Sequence, residues 1–268
     1  MIISTFFDNI VAASEQSGLS LGEVAKRCLG YGVTGVDVED CEVADARLGI
    51  LLGAGMQVTS MPTRRDLLHS PTKETVEEVV ALAVRNKVPR ILMIPGYIGH
   101  DEDKTEAMRT AVEPLRYLCT LAAKEGIVVG VEDYDHEDAP THTIGGLKWF
   151  LDEVPELSCI FDTGNFLYAG EDVREAYRLM KHRITSQLHC KDRALTGRVG
   201  EAAKRSMAGV DMYSSAVGCG IIPIGEMIKD LVKSGFDGAF TAELFGSPDV
   251  LGDLKLSAEY INEIARAR

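Results

Sequence analysis

The chain has 268 residues, 46% hydrophobic and 26% charged, enough to bury a substantial core and unlike a disordered or fibrous composition. Its 28 Lys and Arg against 41 Asp and Glu leave a formal net charge of −13, which argues against duplex nucleic acid and an anionic membrane surface as partners. No apolar run approaches the ~18 residues of a spanning helix, and the six cysteines (28, 41, 119, 159, 190, 219) form no CxxC pair. The opening text MIISTFFDNIVAA lacks a basic n-region and carries Asp8 where an apolar core would continue. We therefore expect no signal peptide, reduced thiols and a cytoplasmic location.

Short runs rich in Val, Ile, Phe and Thr alternate along the chain with longer helical patterns. IISTFF (2–7) is the first candidate strand, and a helix over 20–29 leads to the second, VTGVDVE (33–39). At their junction Gly30-Tyr31-Gly32-Val33-Thr34-Gly35 matches G-x-G-x-x-G, but it follows a helix and opens a strand. A dinucleotide fingerprint has the opposite order, so these glycines are read as a helix stop and a tight turn. MQVTSM (56–61) is the third strand. KETVEEVVALAVRN (73–86) follows Ser70-Pro71-Thr72, a cap and first turn, and has apolar residues at 76, 79, 80, 83 and 84 on one helical face. After the strand RILMIP (90–95) comes a helix over 103–126, stopped by Gly126 and expected to kink or divide at Pro114. The strands IVVGVED (127–133) and SCIFD (158–162) flank a helix over 147–154, whose Trp149, Phe150 and Leu151 are packing residues. A helix over 173–183, the strand RITSQLHC (183–190), a helix over 224–235, the strand GAFTAEL (238–244) and a helix over 251–268 complete the alternation.

Eight strands separated by helices imply right-handed βαβ units. Eight such units in 268 residues fit an α/β fold of the closed (β/α)8 TIM barrel type, with an open doubly wound sheet as the rival. No linker or break in composition divides the chain, so residues 1–268 are assigned to a single barrel domain. The stretch from Lys191 to Pro223 is longer than a connection requires and is read as an insertion between strands seven and eight. It carries Lys191, Arg193, Arg198, Lys204 and Arg205 and is a lid or an oligomer contact.

The late strands end on ionisable residues: IVVGVE at Glu132, CIFD at Asp162, ITSQLH at His189 and AFTAE at Glu243. A lone acid at a strand end is usually a helix cap or an ion-pair partner, and a lone histidine is often a satisfied core residue. Four in succession point elsewhere, because the carboxyl ends of barrel strands share one face, where barrel active sites lie. Three carboxylates brought together repel one another unless a cation sits between them. Three oxygens and one nitrogen suit Mn²⁺, Mg²⁺ or Co²⁺ better than a thiolate zinc site.

The segments Val131-Glu132-Asp133, Phe161-Asp162-Thr163-Gly164-Asn165, His189-Cys190-Lys191-Asp192 and Ala242-Glu243-Leu244 resemble the xylose-isomerase-like sugar phosphate isomerase/epimerase superfamily, of tagatose 3-epimerase type. The resemblance implies a barrel with one divalent ion, often manganese, with magnesium, cobalt or zinc as alternatives. It implies that Glu132, Asp162, His189 and Glu243 are the metal ligands and that Glu132 and Glu243 are also the acid and base. Epimerases of this type usually carry a histidine three residues after the metal-binding aspartate, where this chain has Asn165. Type IV AP endonucleases share the superfamily but use further histidines, and none precedes Pro95-Gly96 here.

Such a centre polarises a carbonyl and stabilises the enediolate left when the α-proton departs. A carboxylate on each side of the carbon then returns the proton to the opposite face, giving epimerisation, or to the neighbouring carbon, giving isomerisation. The reading is a metal-dependent isomerase or epimerase of a small carbohydrate, free or phosphorylated, with no nucleic-acid or membrane partner and with a homo-oligomer as a common state of such barrels. The alternatives are a metal-dependent dehydratase or lyase and a non-catalytic sugar-binding barrel. Asn165, Lys191, His136, His142 and Arg64 are candidate substrate contacts, although the loop histidines and Arg64 also read as ordinary surface polar groups. Phe6 or Phe7 is a candidate apolar wall.

Overall fold

Each β-rich run of the sequence becomes one parallel strand of a closed barrel. In this computed structural model, which describes residues 1–267, the first seven are β1 (Ile2–Phe6), β2 (Val33–Asp37), β3 (Gln57–Arg64), β4 (Arg90–Ile94), β5 (Val128–Glu132), β6 (Ser158–Asp162) and β7 (Gln187–Cys190). Three short strands follow, β8 (Asp192–Ala194), β9 (Lys204–Arg205) and β10 (Asp211–Ser215), and β11 (Ala239–Ala242) completes the barrel. The barrel order is β1-β11-β7-β6-β5-β4-β3-β2, and pairing of Ile2 with Ala239 and of Ile3 with Phe240 closes it. The inserted strands form a separate antiparallel sheet, ordered β8-β10-β9, within the expected insertion.

The connecting helices are α1 (Phe7–Ser17), α2 (Leu21–Tyr31), α3 (Ala46–Ala54), α4 (Lys73–Arg85), α5 (Lys104–Lys124), α6 (Ile144–Glu153), α7 (Asn165–Ala169), α8 (Val173–Met180), α9 (Ile224–Lys233) and α10 (Val250–Arg266). Their starts follow capping chemistry. Ser20 and Glu23 form a reciprocal capping box on α2, and Thr72 caps α4 through Thr75 N. Buried faces such as Val76, Val79, Val80 and Ala83 of α4 pack on the barrel. Trp149, Phe150 and Leu151 pack as expected, with Phe150 and Leu151 fully enclosed.

Three expectations need correction. The first strand stops at Phe6 and Phe7 starts α1, a junction whose N-cap makes no side-chain hydrogen bond and so leaves no punctuation in the text. α5 runs unbroken through Pro114. The carbonyl that loses its partner there belongs to exposed Thr110, while Ala111, Leu115 and Leu118 stay buried on the other face. The helix expected over 173–183 ends at Met180 and tightens into a 3₁₀ turn, and the following strand shortens to Gln187–Cys190. The end of the helix expected over 251–268 includes residue 268, which lies outside the described residues. No helix among the described residues is long and apolar enough to cross a membrane.

The glycines of the G-x-G-x-x-G text do structural work. Gly32 caps α2 at φ +91°. Gly35 lies in β2, where a Cβ would come within 2.5 Å of Thr59 Cγ2 and 2.8 Å of Ser4 Cβ. Replacement Gly35→Ala should therefore lower stability by about 1–3 kcal/mol through overpacking. Gly49→Ala, at an exposed position in α3 with open space around it, should raise stability by about 0.5–1 kcal/mol. Chemical denaturation of the two variants checks the opposite signs.

Candidate metal centre

β5 ends on Glu132 and β6 on Asp162, β7 carries His189 one residue before its end, and Glu243 follows β11 directly. The register pairs Asp162 with His189 and Thr241 with His189, so the strands deliver these side chains to one mouth of the barrel. One ligand atom from each of Glu132, Asp162, His189 and Glu243 lies within 4.8 Å of all the others. All four residues are buried. His189 Nδ1 is 2.5 Å from Glu132 Oε1 and 3.7 Å from Glu243 Oε2.

Asp162 is fixed from two sides. Its Oδ1 accepts from Gly164 N at 2.7 Å and Asn165 N at 2.9 Å, while Asp133 Oδ1 accepts from the Asp162 backbone at 2.9 Å. Its other oxygen, Oδ2, is buried without a hydrogen bond, 3.3 Å from Lys191 Nζ. An oxygen held in this way is a ready ligand. Burial pushes the Glu132 and Asp162 carboxyls above their ordinary range, and mutual repulsion, including that from Glu243, adds to it. Burial alone would lower His189, but Glu132 and Asp37 outweigh it and raise it well above the usual imidazole value. Three buried carboxylates and an imidazole brought to one point fit a divalent cation.

Lys191 enters this cluster more deeply than its sequence context suggests. Its Nζ pairs with Glu243 Oε1 at 2.5 Å and donates to Asn165 Oδ1 at 2.6 Å. Burial would lower its pKa, yet Asp162, Glu243 and Asp135 raise it well above the ordinary value, so the ammonium stays charged. Gly164 makes room for the stem, since a Cβ there would meet Lys191 Cγ at 2.8 Å. Asn165 donates through Nδ2 to Asp133 O at 2.6 Å. Its amide oxygen and one N–H thus hold Lys191 and the β5 end, which leaves less of the amide for a substrate hydroxyl than expected.

The mouth encloses a cavity of about 400 Å³, lined among others by Phe6, Glu39, Glu132, Tyr134, Asp135, Asn165, Lys191, Arg193, Lys204, Glu243 and Phe245. Phe6 packs edge-on against His189, whereas Phe7 is enclosed in α1 and does not reach the cavity. His136 and His142 do not line it either. His136 stacks on Tyr97 at 4.8 Å and His142 Nδ1 closes a turn on Ala139 O. Arg64 pairs with Glu39 at 2.5 Å and Arg65 with Asp40 at 2.5 Å, and neither lines the cavity. The insertion contributes Ala202, Ala203, Lys204, Met212 and Ser214 to the lining and so covers the mouth.

One contributor is not singled out by sequence reasoning. Asp37, at the end of β2, places Oδ2 3.5 Å from His189 Nε2, on the ring edge opposite the cluster. Asp37 is itself held by Thr59 Oγ1, Gln187 Nε2 and Thr241 Oγ1, and Thr241 meets Ser4 at 2.7 Å. This polar layer inside the barrel aims the imidazole. In the sequence Asp37 lies inside the run VTGVDVE, and only the end of β2 at Asp37 makes it a strand-terminal acid like Glu132 and Asp162.

Adding Mn²⁺ at about 100 times its Kd should raise the thermal midpoint over EDTA-treated protein by roughly 5–10 °C. Because binding displaces protons from this cluster, Mn²⁺ affinity should rise from about pH 6 to about pH 8, with proton release seen by calorimetry in two buffers. A flat profile would contradict the site. Asp37→Asn should weaken Mn²⁺ binding by about 10–100-fold while circular dichroism stays unchanged.

Comparison with known proteins places this geometry. A family model described as xylose isomerase-like TIM barrel matches residues 42–264. No curated protein sequence matches the chain significantly. Among solved structures, a probable 3-DHS dehydratase from Bacillus anthracis is 19% identical with a TM-score of 0.70, covering 98% of this chain and 99% of its own. A D-psicose 3-epimerase from Clostridium cellulolyticum H10, solved with D-tagatose, is 15% identical with a TM-score of 0.66, covering 99% and 98%. A xylose isomerase-like barrel from Mycobacterium smegmatis, in complex with magnesium, is 18% identical with a TM-score of 0.65, covering 91% and 87%. At these identities the structures share the fold with this chain, and the family match covers most of its length. The chain therefore belongs to the xylose isomerase-like TIM barrel family.

Proposed function

We propose that the chain is a divalent-metal-dependent isomerase or epimerase of a small carbohydrate. The observation that supports this most is the pair Glu132 and Glu243, both facing His189 Nδ1 at the floor of the cavity. Glu132, Asp162, His189 and Glu243 would hold the ion, and manganese suits their hard donor set, with magnesium, cobalt or zinc as alternatives. Such an ion supplies Lewis-acid polarisation of a carbonyl.

The chain's own residues carry the proton. One glutamate takes the α-proton as the C–H bond breaks, and the electron pair left behind moves toward the carbonyl oxygen. The other glutamate, protonated before this step, gives its proton to the opposite face of the same carbon, yielding an epimer and leaving the two glutamates with exchanged protonation states. Delivery to the adjacent carbon gives an isomer. Lys191 pairs with Glu243 and orients it, and we take Glu243 as the first base. Phe6, Phe245 and the insertion exclude water from the exchanging carbon.

Deuterium exchange tests this directly. Mn²⁺-loaded protein with a ketohexose in D₂O should incorporate deuterium at the α-carbon. Glu132→Gln and Glu243→Gln should each slow exchange by at least about 100-fold with Mn²⁺ still bound. Near-normal exchange in both variants would sink the mechanism. Loss of a β-hydroxyl instead of proton return would appear as an ultraviolet enone band and make the protein a dehydratase, the activity named for one structural neighbour.

A further inference from the structure

Arg193 stands in β8, two residues past Lys191, and lines the cavity while only 6% exposed. Its guanidinium makes no side-chain hydrogen bond among the described residues, and its buried Nε has no partner. The nearest carboxylate oxygen, Asp135 Oδ2, is 3.7 Å from Nη2, beyond hydrogen-bond length. Arg183 and Arg198 are not left so. Arg183 gives its Nη groups to the carbonyls of Leu151, Pro155 and Leu157, and Arg198 grips Asp253 with both Nη groups at 2.9 and 2.8 Å. A buried, unmatched Nε donor is costly unless an acceptor arrives from outside, and this side chain lines the cavity.

The local charge points the same way. Asp135 Oδ2 is the one carboxylate near three cations: Lys191 at 3.8 Å, Arg193, and Lys204, its closest partner. Burial would raise Asp135, but Lys191, Lys204 and Arg193 hold it below the ordinary carboxylate value. Lys191 has Asp162 and Glu243 as further counter-charges, whereas Arg193 and Lys204 share Asp135 alone. Lys204 comes from β9, its ammonium over the Tyr168 ring at 4.8 Å, so it faces Arg193 from the insertion. On this side of the cavity Arg193 and Lys204 face one carboxylate, while Glu39, Glu132 and Glu243 line the rest of it.

We propose that Arg193 and Lys204 form an anion subsite, so that the substrate of this centre carries a carboxylate or phosphate-ester oxyanion in addition to its carbonyl. This rests on the metal-centre reading above and names the substrate class for it. The fork of Arg193 receives two oxygens of the anion in parallel hydrogen bonds, and Lys204 supplies a point charge from the insertion.

Three probes that differ only at C6 test it: D-fructose, D-fructuronate and D-fructose 6-phosphate. Their affinities for the Mn²⁺-loaded protein are measured by calorimetry. At least one anionic ketose should bind about tenfold or more tighter than fructose, as one charge-assisted bidentate pair gives. The tighter of the two identifies carboxylate or phosphate as the source. Arg193→Met should erase the preference, Arg193→Lys should restore part of it, and Lys204→Met, at a half-exposed position that tolerates change, should weaken it. Equal affinity for all three ketoses, or a preference that survives in Arg193→Met and Lys204→Met, overturns the subsite. The isomerase–epimerase reading fails differently: an anionic ketose then binds in an Arg193-dependent way but shows no α-deuterium exchange. Fructose that binds and exchanges as well as the acids leaves that reading intact and removes the subsite alone.

Discussion

Three carboxylates that cannot all be charged together without a cation among them govern the upper end of this barrel. Glu132, Asp162 and Glu243 come from strands far apart in sequence, yet each is buried and each faces the same point. Such a cluster would destabilise the fold unless its charge were neutralised by protons, by an ion or by a neighbouring cation. The chain supplies part of this itself through the Lys191 ammonium, held between Glu243 and Asn165. The remaining imbalance, and an Asp162 Oδ2 that accepts no hydrogen bond, are what a divalent ion would relieve. Binding energy and catalytic charge are therefore one quantity here: the repulsion that makes the apo cluster unfavourable is the attraction that would hold the metal.

That cluster is rigid because its supports lie in the barrel and in short turns. Asp162 is gripped by two backbone N–H groups at the start of α7 and by Asp133 from the neighbouring strand end. Thr163 links β6 to the chain after β7 through His189 O and Lys191 O. Below the site the usual apolar filling of a small barrel gives way to Asp37, Thr59, Gln187 and Thr241, which bond to one another and face the far edge of His189. Asp37, Thr59 and Thr241 of this layer are hydrogen-bonded, Gln187 Oε1 is not, and Asp37 sets the direction of the imidazole.

The sequence discloses the barrel and the four convergent side chains because both leave local marks. Apolar runs of strand length recur between amphipathic stretches, and an ionisable residue closes each late run. What stays hidden depends on side-chain direction or on tertiary partners. Nothing in the text distinguishes Asn165 with a spare amide from Asn165 already committed to Asp133 and Lys191. His136 and His142 share a loop with Asp135, but only Asp135 turns into the cavity. Arg64 reads as an anion contact until it is seen to pair with Glu39 and not to line the cavity. α1 escapes notice because it begins on the residue after β1, with no cap to announce it. α5 does not divide at Pro114 because a solvent-facing carbonyl can lose its partner at little cost.

The division of labour between barrel and insertion follows from where each group is anchored. Residues that would hold the ion and move the proton sit on barrel strands or within one residue of them, where packing leaves little freedom. Residues that would read the rest of the substrate, Arg193 and Lys204, sit on the small antiparallel sheet above. That sheet is itself pinned. Asp192 accepts from the N–H groups of Gly218, Gly220 and Ile222, and Arg198 clamps Asp253 at the head of α10. Substrate choice can thus change by altering the roof without disturbing the repulsion-balanced centre beneath it, and a barrel shared with a dehydratase and an epimerase can acquire a different substrate class from a few residues after its seventh strand.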